Sequence, residues 1–97
     1  MEEMQKKAEH VSSFLKGLAS PHRLLILCHL VEGEKNVTEL IEATGIAQTS
    51  MSQHLNKLKD ENIVRYRREH RTLYYSISHN AVHDVMAVLY DHFCKGE

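Results

Sequence analysis

The most constraining feature of this sequence is a pair of helical segments separated by only a few residues. The first, VTELIEAT, follows Asn36 and ends at Gly45, and the second begins near Gln48 and runs to about Glu61. Glu39 lies three residues after Asn36, which is the spacing of a capping box, and glycine commonly follows the C-terminus of a helix. A short helix, a glycine-containing turn and a second helix together predict a helix-turn-helix.

The second of these helices has two faces of different character. An apolar stripe at i, i+4 and i+7 is formed by Met51, Leu55 and Leu58, and it predicts packing against a core. His54 lies nearer that stripe, so we expect it to have a structural role. The opposite face is polar and carries Thr49, Ser52, Gln53 and Asn56.

Residues 63–68 and 72–77 change from a helical pattern to that of strands. Both runs are rich in β-branched and aromatic residues, and they flank Glu69, His70 and Arg71. This arrangement predicts a two-stranded hairpin. His70 suits the tip of the hairpin, because histidine is enriched among residues with positive φ.

Helices are predicted on both sides of this unit. The first helix carries an apolar stripe formed by Met4, Ala8, Val11, Leu15 and Leu18. Ser20 and Pro21 mark a new helix start, with serine as the cap and proline at the first helical position. This second helix is apolar almost all round, so we expect a central buried helix that stops at Gly33. A last helix is predicted from about His79 to Phe93.

The predicted fold is mainly α with a two-stranded β-wing, that is, a winged helix-turn-helix with an added helix at each end. Residues 1–97 are expected to form one domain, because domains usually contain roughly 100–200 residues. A monomer of this size buries only about 60–65% of the surface that its unfolded chain exposes. The terminal helices carry more apolar surface than so small a core can cover. We therefore expect them to pair with a second subunit in a homodimer.

The sequence predicts a cytoplasmic protein with no membrane partner. Its apolar runs are short, such as the five residues 24–28, whereas a transmembrane helix needs about 20. The mixed-charge N-terminus lacks the apolar core of a signal peptide. The two cysteines are far apart in the sequence, which fits neither a secreted disulfide scaffold nor a zinc ribbon.

Positive charge is concentrated on the second helix of the pair and on the hairpin. The whole chain has a net charge of −1, but residues 48–75 carry +3 and the remainder −4. A local positive potential attracts DNA phosphates and supplies the salt-dependent part of affinity. Charged hairpins are also common as solvated sheet edges. The combination with a helix-turn-helix favours DNA binding.

Three motifs resemble the ArsR (arsenic-repressor-like) family of transcription regulators. Residues 20–27, SPHRLLIL, are similar to the family's NPxRLxIL segment. Residues 48–58, QTSMSQHLNKL, are similar to its recognition helix, and residues 64–68 and 73–77 to its wing. The motifs occur in the family's order over nearly the whole chain. The resemblance implies a homodimeric bacterial repressor that binds double-stranded DNA at a pseudo-palindromic operator and leaves it when an inducer binds.

The resemblance assigns DNA contacts residue by residue. Positions that enter the major groove match Gln48, Thr49, Ser52 and Gln53, whose amides and hydroxyls suit base edges. Wing positions that hold the DNA backbone or minor groove match Arg67, Arg68, His70 and Arg71. An ordinary solvated helix face is the alternative for the polar helix residues. Ala47 departs from the family pattern, which often has a capping serine there, so the helix is expected to be less well capped or to begin a residue later.

Metal sites of the family are not reproduced. Asn36 and Thr38 stand where the family's C-x-C-D-L motif has cysteines, so no thiolate is available at that site. The last helix lacks the D-x-H spacing of the second family site. His79 and His83 are one turn apart and could chelate zinc, which leaves a metal-responsive repressor as the alternative. Surface histidines are the more common explanation, and we predict no metal and no cofactor.

The two cysteines resemble a narrower branch of the family. Cys28 lies on the central helix and Cys94 ends the last helix. This placement is similar to that in the thiol-switch (BigR-, SqrR-, YgaV- and HlyU-like) branch. It implies that reactive sulfur species (persulfide or polysulfide) or oxidants modify the pair and release the DNA. A bridge between the two helices would then change the angle between subunits. A small core hydrophobe is the alternative for Cys28 alone.

Two other classes of function are weaker. A thiol enzyme would rest on Cys28 next to His29 and on Cys94 near His92, but adjacent helical residues do not face each other. A dimer that binds only protein does not explain the basic hairpin. We therefore predict a regulator that is not an enzyme.

Overall fold

A computed structural model describes residues 2–94. In chain order it contains α1 (Glu2–Leu18), α2 (Pro21–Val31), β1 (Lys35–Asn36), α3 (Val37–Thr44), α4 (Gln48–Asp60), β2 (Val64–Glu69), β3 (Thr72–Ile77), α5 (Asn80–Leu89) and a π-helical turn (Tyr90–Cys94). This is the predicted winged helix-turn-helix with a helix added at each end. A single domain over residues 1–97 stays a prediction, because Met1 and residues 95–97 lie outside the described residues.

Local hydrogen bonds fix both ends of α3, as the sequence predicts. The Asn36 side chain accepts from the Glu39 N–H at 2.8 Å, and the Glu39 carboxylate accepts from the Asn36 N–H at 2.9 Å. At the other end Gly45 has φ +76°, a left-handed conformation that glycine adopts without steric cost. Its N–H donates to Ile41 O at 2.8 Å. These caps set the short turn that delivers α4.

The start of α4 lacks a side-chain cap, as expected from Ala47. Ala47 has extended backbone angles and occupies the N-cap position, and no side-chain hydrogen bond is made there. The first N–H groups of a helix have no partner within the helix. Those of α4 are therefore left to solvent or to a bound ligand.

Replacing Ala47 by serine should stabilise the protein by about 0.5–1 kcal/mol, because a serine hydroxyl can accept from an N–H in the first turn of α4. Urea unfolding at fixed protein concentration measures this change. Ala43→Ser, at an exposed position inside α3, is the matched control and should be neutral or slightly destabilising. Equal stability of the two variants would show that the first turn of α4 gains nothing from a cap.

The core lies where α2, α4 and α5 meet the sheet. α3 and the residue before β2 each add one fully buried side chain, Leu40 and Ile63. The fully buried side chains are Ile26, Leu27, Leu40, Met51, Leu55, Leu58, Ile63, Val64, Val82 and Met86. The expected central helix, α2, is buried on one face, which carries Ile26, Leu27 and Leu30. Leu25 is 38% exposed, so α2 presents one side to the outside of this chain.

The wing is a three-stranded antiparallel sheet with the order β1-β3-β2. The predicted hairpin of β2 and β3 is present, and His70 at its tip has φ +60° as expected. The prediction of two strands missed β1, in which Lys35 pairs with Tyr75 and Asn36 with Tyr74. A strand of two residues is too short to show a hydrophobic period, so no sequence pattern indicates β1.

Apolar residues on α1 and α5 remain uncovered in the single chain. Leu18 is the one residue of the predicted α1 stripe that is buried, whereas Met4 is 70% exposed. The other large apolar side chains left exposed on these two helices and the final turn are Val11, Leu15, Val85, Val88 and Phe93. No helix among residues 2–94 is long and apolar enough to cross a membrane.

The last helix differs from the predicted continuous helix over residues 79–93. His79 is its N-cap, accepting from the Ala81 N–H at 3.2 Å, and α5 ends at Leu89. The chain then continues as a π-helical turn, a rare form that is frequently found at functional sites. This turn carries Cys94.

Candidate nucleic-acid interface and thiol pair

The two faces of α4 separate as the sequence predicts. The apolar stripe is buried, with Leu55 only 1% exposed. The predicted base-reading residues all lie on the exposed side and are Gln48, Thr49, Ser52 and Gln53. Their amide and hydroxyl groups are free to approach base edges, where glutamine can pair with adenine and serine or threonine with either partner.

A polar cleft joins this face to the wing. It has a volume of about 320 Å³ and lies between the N-terminus of α3, the start of α4 and the tip of the hairpin. Gln48 and Ser52 line it from α4, and Arg71 lines it from the wing. The fold therefore brings together two sets of predicted contact residues that lie about 20 positions apart in the sequence.

Arg67 of the wing is held within the protein. Its guanidinium donates to the Glu34 carboxylate at 2.6–3.1 Å, lies 3.6 Å from Glu69 and stacks 4.6 Å above the ring of Tyr74. Hydrogen bonding from Arg67 lowers the pKa of the Glu34 carboxyl. The two carboxylates offset the positive charge of the Arg67 guanidinium. The geometry therefore favours a role for Arg67 in fixing the wing to the segment before β1.

The other predicted wing contacts are more accessible. Arg68, His70 and Arg71 are exposed. Within residues 2–94 neither Arg68 nor Arg71 makes a salt bridge. They are better placed than Arg67 to contact an external phosphate, and all four DNA assignments on the wing stay predictions.

His54 is partly exposed on α4 and contacts His22 of α2, which fits its expected structural role. Its Nε2 lies 3.3 Å from Nδ1 of His22, and the two rings meet edge to face. Burial lowers the pKa of His54, and the neighbouring His22 and Arg23 lower it further. The pair links the first turn of α2 to α4.

The two cysteines, 66 residues apart in the sequence, meet in space. Cys28 on α2 is partly buried, Cys94 in the π-helical turn is exposed, and both are free thiols. Their Sγ atoms are 2.9 Å apart, which is longer than the roughly 2.03–2.05 Å of a disulfide bond. The two sulfurs are in direct contact without being bonded.

The two cysteines line an apolar cavity. Its volume is about 250 Å³, and its walls are formed by both cysteines and by Leu24, Met86, Leu89 and Phe93. Burial, followed by the hydrogen bond to Cys94, raises the pKa of the Cys28 thiol to about 12. Cys28 is therefore neutral near pH 7, and since the thiolate is the nucleophile, the exposed Cys94 is the better candidate for the first attack.

Cys28 should react slowly with iodoacetamide. At pH 8 a thiol with a pKa near 12 has roughly 10³-fold less thiolate than one with a pKa near 9, and its higher nucleophilicity recovers about 10^1.2–10^1.5 of this. We expect Cys28 to be alkylated at least tenfold more slowly than N-acetylcysteine in the same tube, measured by peptide mass spectrometry. Alkylation of Cys28 at the rate of the reference thiol would contradict the raised pKa.

The two histidines of the zinc alternative have different surroundings. Nδ1 of His79 already accepts the N-cap hydrogen bond of α5, and its ring packs 5.0 Å from that of Phe14. His83 is exposed. No group of three or more potential metal ligands comes together within the described residues.

Sequence reasoning missed a polar contact beside the thiols. The Tyr90 hydroxyl donates to Glu32 Oε2 at 2.8 Å, across 58 residues of sequence. This hydrogen bond is the main cause that raises the pKa of Tyr90. Tyr90 lies within the predicted last helix, and no local sequence pattern indicates its partner.

Comparison with known proteins identifies the family. Residues 20–66 match the family model of the bacterial regulatory proteins of the arsR family. The biofilm growth-associated repressor of Xylella fastidiosa (strain Temecula1 / ATCC 700964) is 38% identical over 96 residues, which cover 99% of this chain and 84% of that protein. The chain belongs to the ArsR family. It is a DNA-binding transcriptional regulator and not an enzyme, as the sequence predicts.

Other transcriptional regulators are similar to this chain over nearly its whole length. The HTH-type transcriptional regulator YgaV of Escherichia coli (strain K12) is 34% identical, covering 95% of this chain and 94% of that protein. Reduced HlyU from Vibrio cholerae N16961 has a TM-score of 0.91 at 33% identity, covering 98% of this chain and 100% of that one. The repressor BigR from Xylella fastidiosa has a TM-score of 0.89 at 37% identity, covering 99% and 97%.

Proposed function

We propose that this ArsR-family protein is a homodimeric, sequence-specific repressor that reactive sulfur species release from its operator by modifying Cys28 and Cys94. The observation that carries the proposal is the contact between the two Sγ atoms, which are 2.9 Å apart although the cysteines lie 66 residues apart in the sequence. The Xylella relative is named a repressor, which supports the direction of regulation.

The DNA would be read by the exposed face of α4 and held by the wing. Gln48, Thr49, Ser52 and Gln53 are accessible for base edges, and Arg68, His70 and Arg71 for the backbone or minor groove. The polar cleft between Ser52 and Arg71 is open to a phosphate that passes between the two elements. The net charge of +3 on residues 48–75 supports this orientation.

A second copy of the chain would cover the exposed apolar residues of α1 and α5. Met4, Val11 and Leu15 on α1 and Val88 on α5 are between 47% and 70% exposed in the single chain, and their burial in a dimer is favourable. Dimeric helix-turn-helix proteins bind half-sites whose centres lie about 34–36 Å apart. A rotation between subunits therefore prevents both copies of α4 from docking at once.

The chemistry needs a sulfur donor that is also the oxidant, and inorganic polysulfide is both. The Cys94 thiolate attacks a sulfane sulfur, so that one S–S bond forms, one breaks, and the shortened polysulfide leaves with the electron pair and takes up a proton. Cys28 then loses its proton and attacks the Cys94 persulfide, and hydrosulfide leaves as the bridge closes. The two thiols lose two electrons, which the cleaved polysulfide gains. A longer polysulfide chain leaves extra sulfur atoms in the bridge.

Fluorescence anisotropy tests this proposal with DNA from upstream of the protein's own gene. The reduced protein should bind with an affinity that falls as salt rises, lose the DNA after addition of polysulfide and regain it after a reductant. Sodium sulfide, which has no sulfane sulfur, is the matched reagent and should leave binding unchanged. Equal binding before and after polysulfide would refute the thiol switch, and absence of salt-sensitive binding would refute the DNA interface.

A further inference from the structure

One short segment supports both DNA-facing elements. Residues 32–36, here called the connector, join α2 to α3. Glu34 of the connector forms the hydrogen-bonded ion pair with Arg67 of β2. Lys35 and Asn36 form β1 and pair with β3, and Asn36 also caps α3. A shift of the connector therefore moves the wing and the first helix of the helix-turn-helix together.

The final turn of the chain holds the start of this connector. Tyr90 is the first residue of the π-helical turn that ends at Cys94. Its hydroxyl donates to Glu32 Oε2 at 2.8 Å, while Glu32 Oε1 lies 3.7 Å from Lys35 Nζ and 3.9 Å from His29 Nδ1. Glu32 thus connects the π-helical turn that contains Cys94 to Lys35 of β1, the strand that pairs with β3 of the wing.

We propose that the Tyr90–Glu32 hydrogen bond is the contact through which the state of the Cys28–Cys94 pair reaches the connector, with Tyr90 and Glu32 as positioning residues. This inference rests on the thiol switch proposed above. It names the structural route of that switch within one subunit.

The geometry explains why the contact responds to the thiols. Any bridge changes the 2.9 Å separation of the Sγ atoms, and Cys94 belongs to the same single turn as Tyr90. A hydrogen bond from a hydroxyl to a carboxylate is strong but depends steeply on distance and angle. A small displacement of the turn therefore weakens the hold on Glu32. The reduced, DNA-binding state keeps this bond and the bridged state loses it.

Tyr90→Phe and Glu32→Gln test the inference in the full-length protein. For each protein three quantities are measured: the bridged fraction by intact mass, the dissociation constant for operator DNA before and after bridging, and the melting temperature. Tyr66→Phe removes the hydroxyl of an exposed wing tyrosine that makes no side-chain hydrogen bond within residues 2–94. Glu42→Gln changes an exposed carboxylate on α3. These two are the matched controls.

Both test variants should form the bridge fully yet respond to it less. In the wild type, bridging should raise the dissociation constant for operator DNA by roughly 5- to 150-fold, the range typical of coupled sites. In each test variant we expect this ratio of bridged to reduced dissociation constant to be at least threefold smaller than in the wild type. The reduced form should lose affinity and the bridged form should change little. The double variant should be no worse than either single variant, because both remove the same bond.

The outcomes separate this inference from the switch itself. If Tyr90→Phe and Glu32→Gln bridge normally and keep the wild-type ratio, the Tyr90–Glu32 route is wrong while the thiol switch stands. If the control variants lower the ratio equally, the effect is not specific to this bond and the route is also wrong. If the wild type does not bridge, or bridges without releasing DNA, the proposed switch fails and the inference fails with it.

Discussion

Cys94→Ser should bind operator DNA in the reduced state as the wild type does and should not be released by polysulfide. The side chain of Cys94 is exposed and forms no part of the core, so serine at this position should leave the fold unchanged. Without Cys94 no bridge can form, and the remaining Cys28 thiol reacts slowly because burial raises its pKa to about 12. We expect polysulfide to weaken wild-type binding by roughly 5- to 150-fold and to change the affinity of Cys94→Ser by less than a factor of about two, within normal mutational scatter.

Cys28→Ser is the informative companion to this variant. It keeps the exposed thiol, so polysulfide should convert Cys94 to a persulfide that has no partner. Mass spectrometry should then find added sulfur without a bridge, and DNA binding should persist. Release of DNA from both variants by polysulfide would contradict the switch, whereas release from Cys28→Ser alone would show that the persulfide on Cys94 is sufficient.

Leu55→Ala should lower the free energy of unfolding by about 2–5 kcal/mol, because it removes a fully buried side chain and leaves a cavity in the core. The residue lies on the inward face of α4, two positions from the exposed Gln53. Urea unfolding at fixed protein concentration measures the change, since the stability of a dimer depends on concentration.

Gln53→Ala on the same helix is the matched control. It should affect operator binding rather than stability, whereas Leu55→Ala should affect stability. Removal of an exposed amide should change stability by less than about 0.5 kcal/mol and weaken operator binding by about 1–3 kcal/mol if the amide reads a base. A Gln53→Ala variant that binds the operator as tightly as the wild type would place base reading elsewhere on α4. A Leu55→Ala variant with the same free energy of unfolding as the wild type would contradict the packing of α4.

Much of the fold follows from local chemistry in the sequence. Asn36 with Glu39 and Gly45 specify the ends of α3 through hydrogen bonds and backbone angles that depend on residues within one turn. The stripe of Met51, Leu55 and Leu58 gives the inward face of α4 for the same reason. Such signals are contained within short windows, and this is why the helices, their order and the hairpin were predicted.

The features that sequence reasoning missed depend on contacts across the chain. β1 is too short to show a period, and it is a strand because Lys35 and Asn36 meet β3. The Arg67–Glu34 pair joins residues 33 positions apart, and it holds the Arg67 side chain against the segment before β1. Residues 90–94, YDHFC, form a π-helical turn where an α-helix was expected to continue, and no propensity of these residues specifies that change.

The candidate site was predictable in its residues but not in its geometry. The family resemblance selected Cys28 and Cys94 from their places in the sequence. Their contact, the apolar cavity around them and the raised pKa of the Cys28 thiol follow from the packing of α2 against α5 and the final turn. The same packing brings Tyr90 to Glu32, a pairing for which the sequence holds no local signal.

The most direct test of the central claim follows two quantities on one sample of the wild-type protein as polysulfide is added. Intact mass gives the fraction of chains in which Cys28 and Cys94 are bridged, and fluorescence anisotropy gives the fraction of operator DNA released. A thiol-switched repressor predicts that release rises with bridging and that a reductant reverses both together. Complete bridging with the DNA still bound, or release before any modification of the two cysteines, would contradict it.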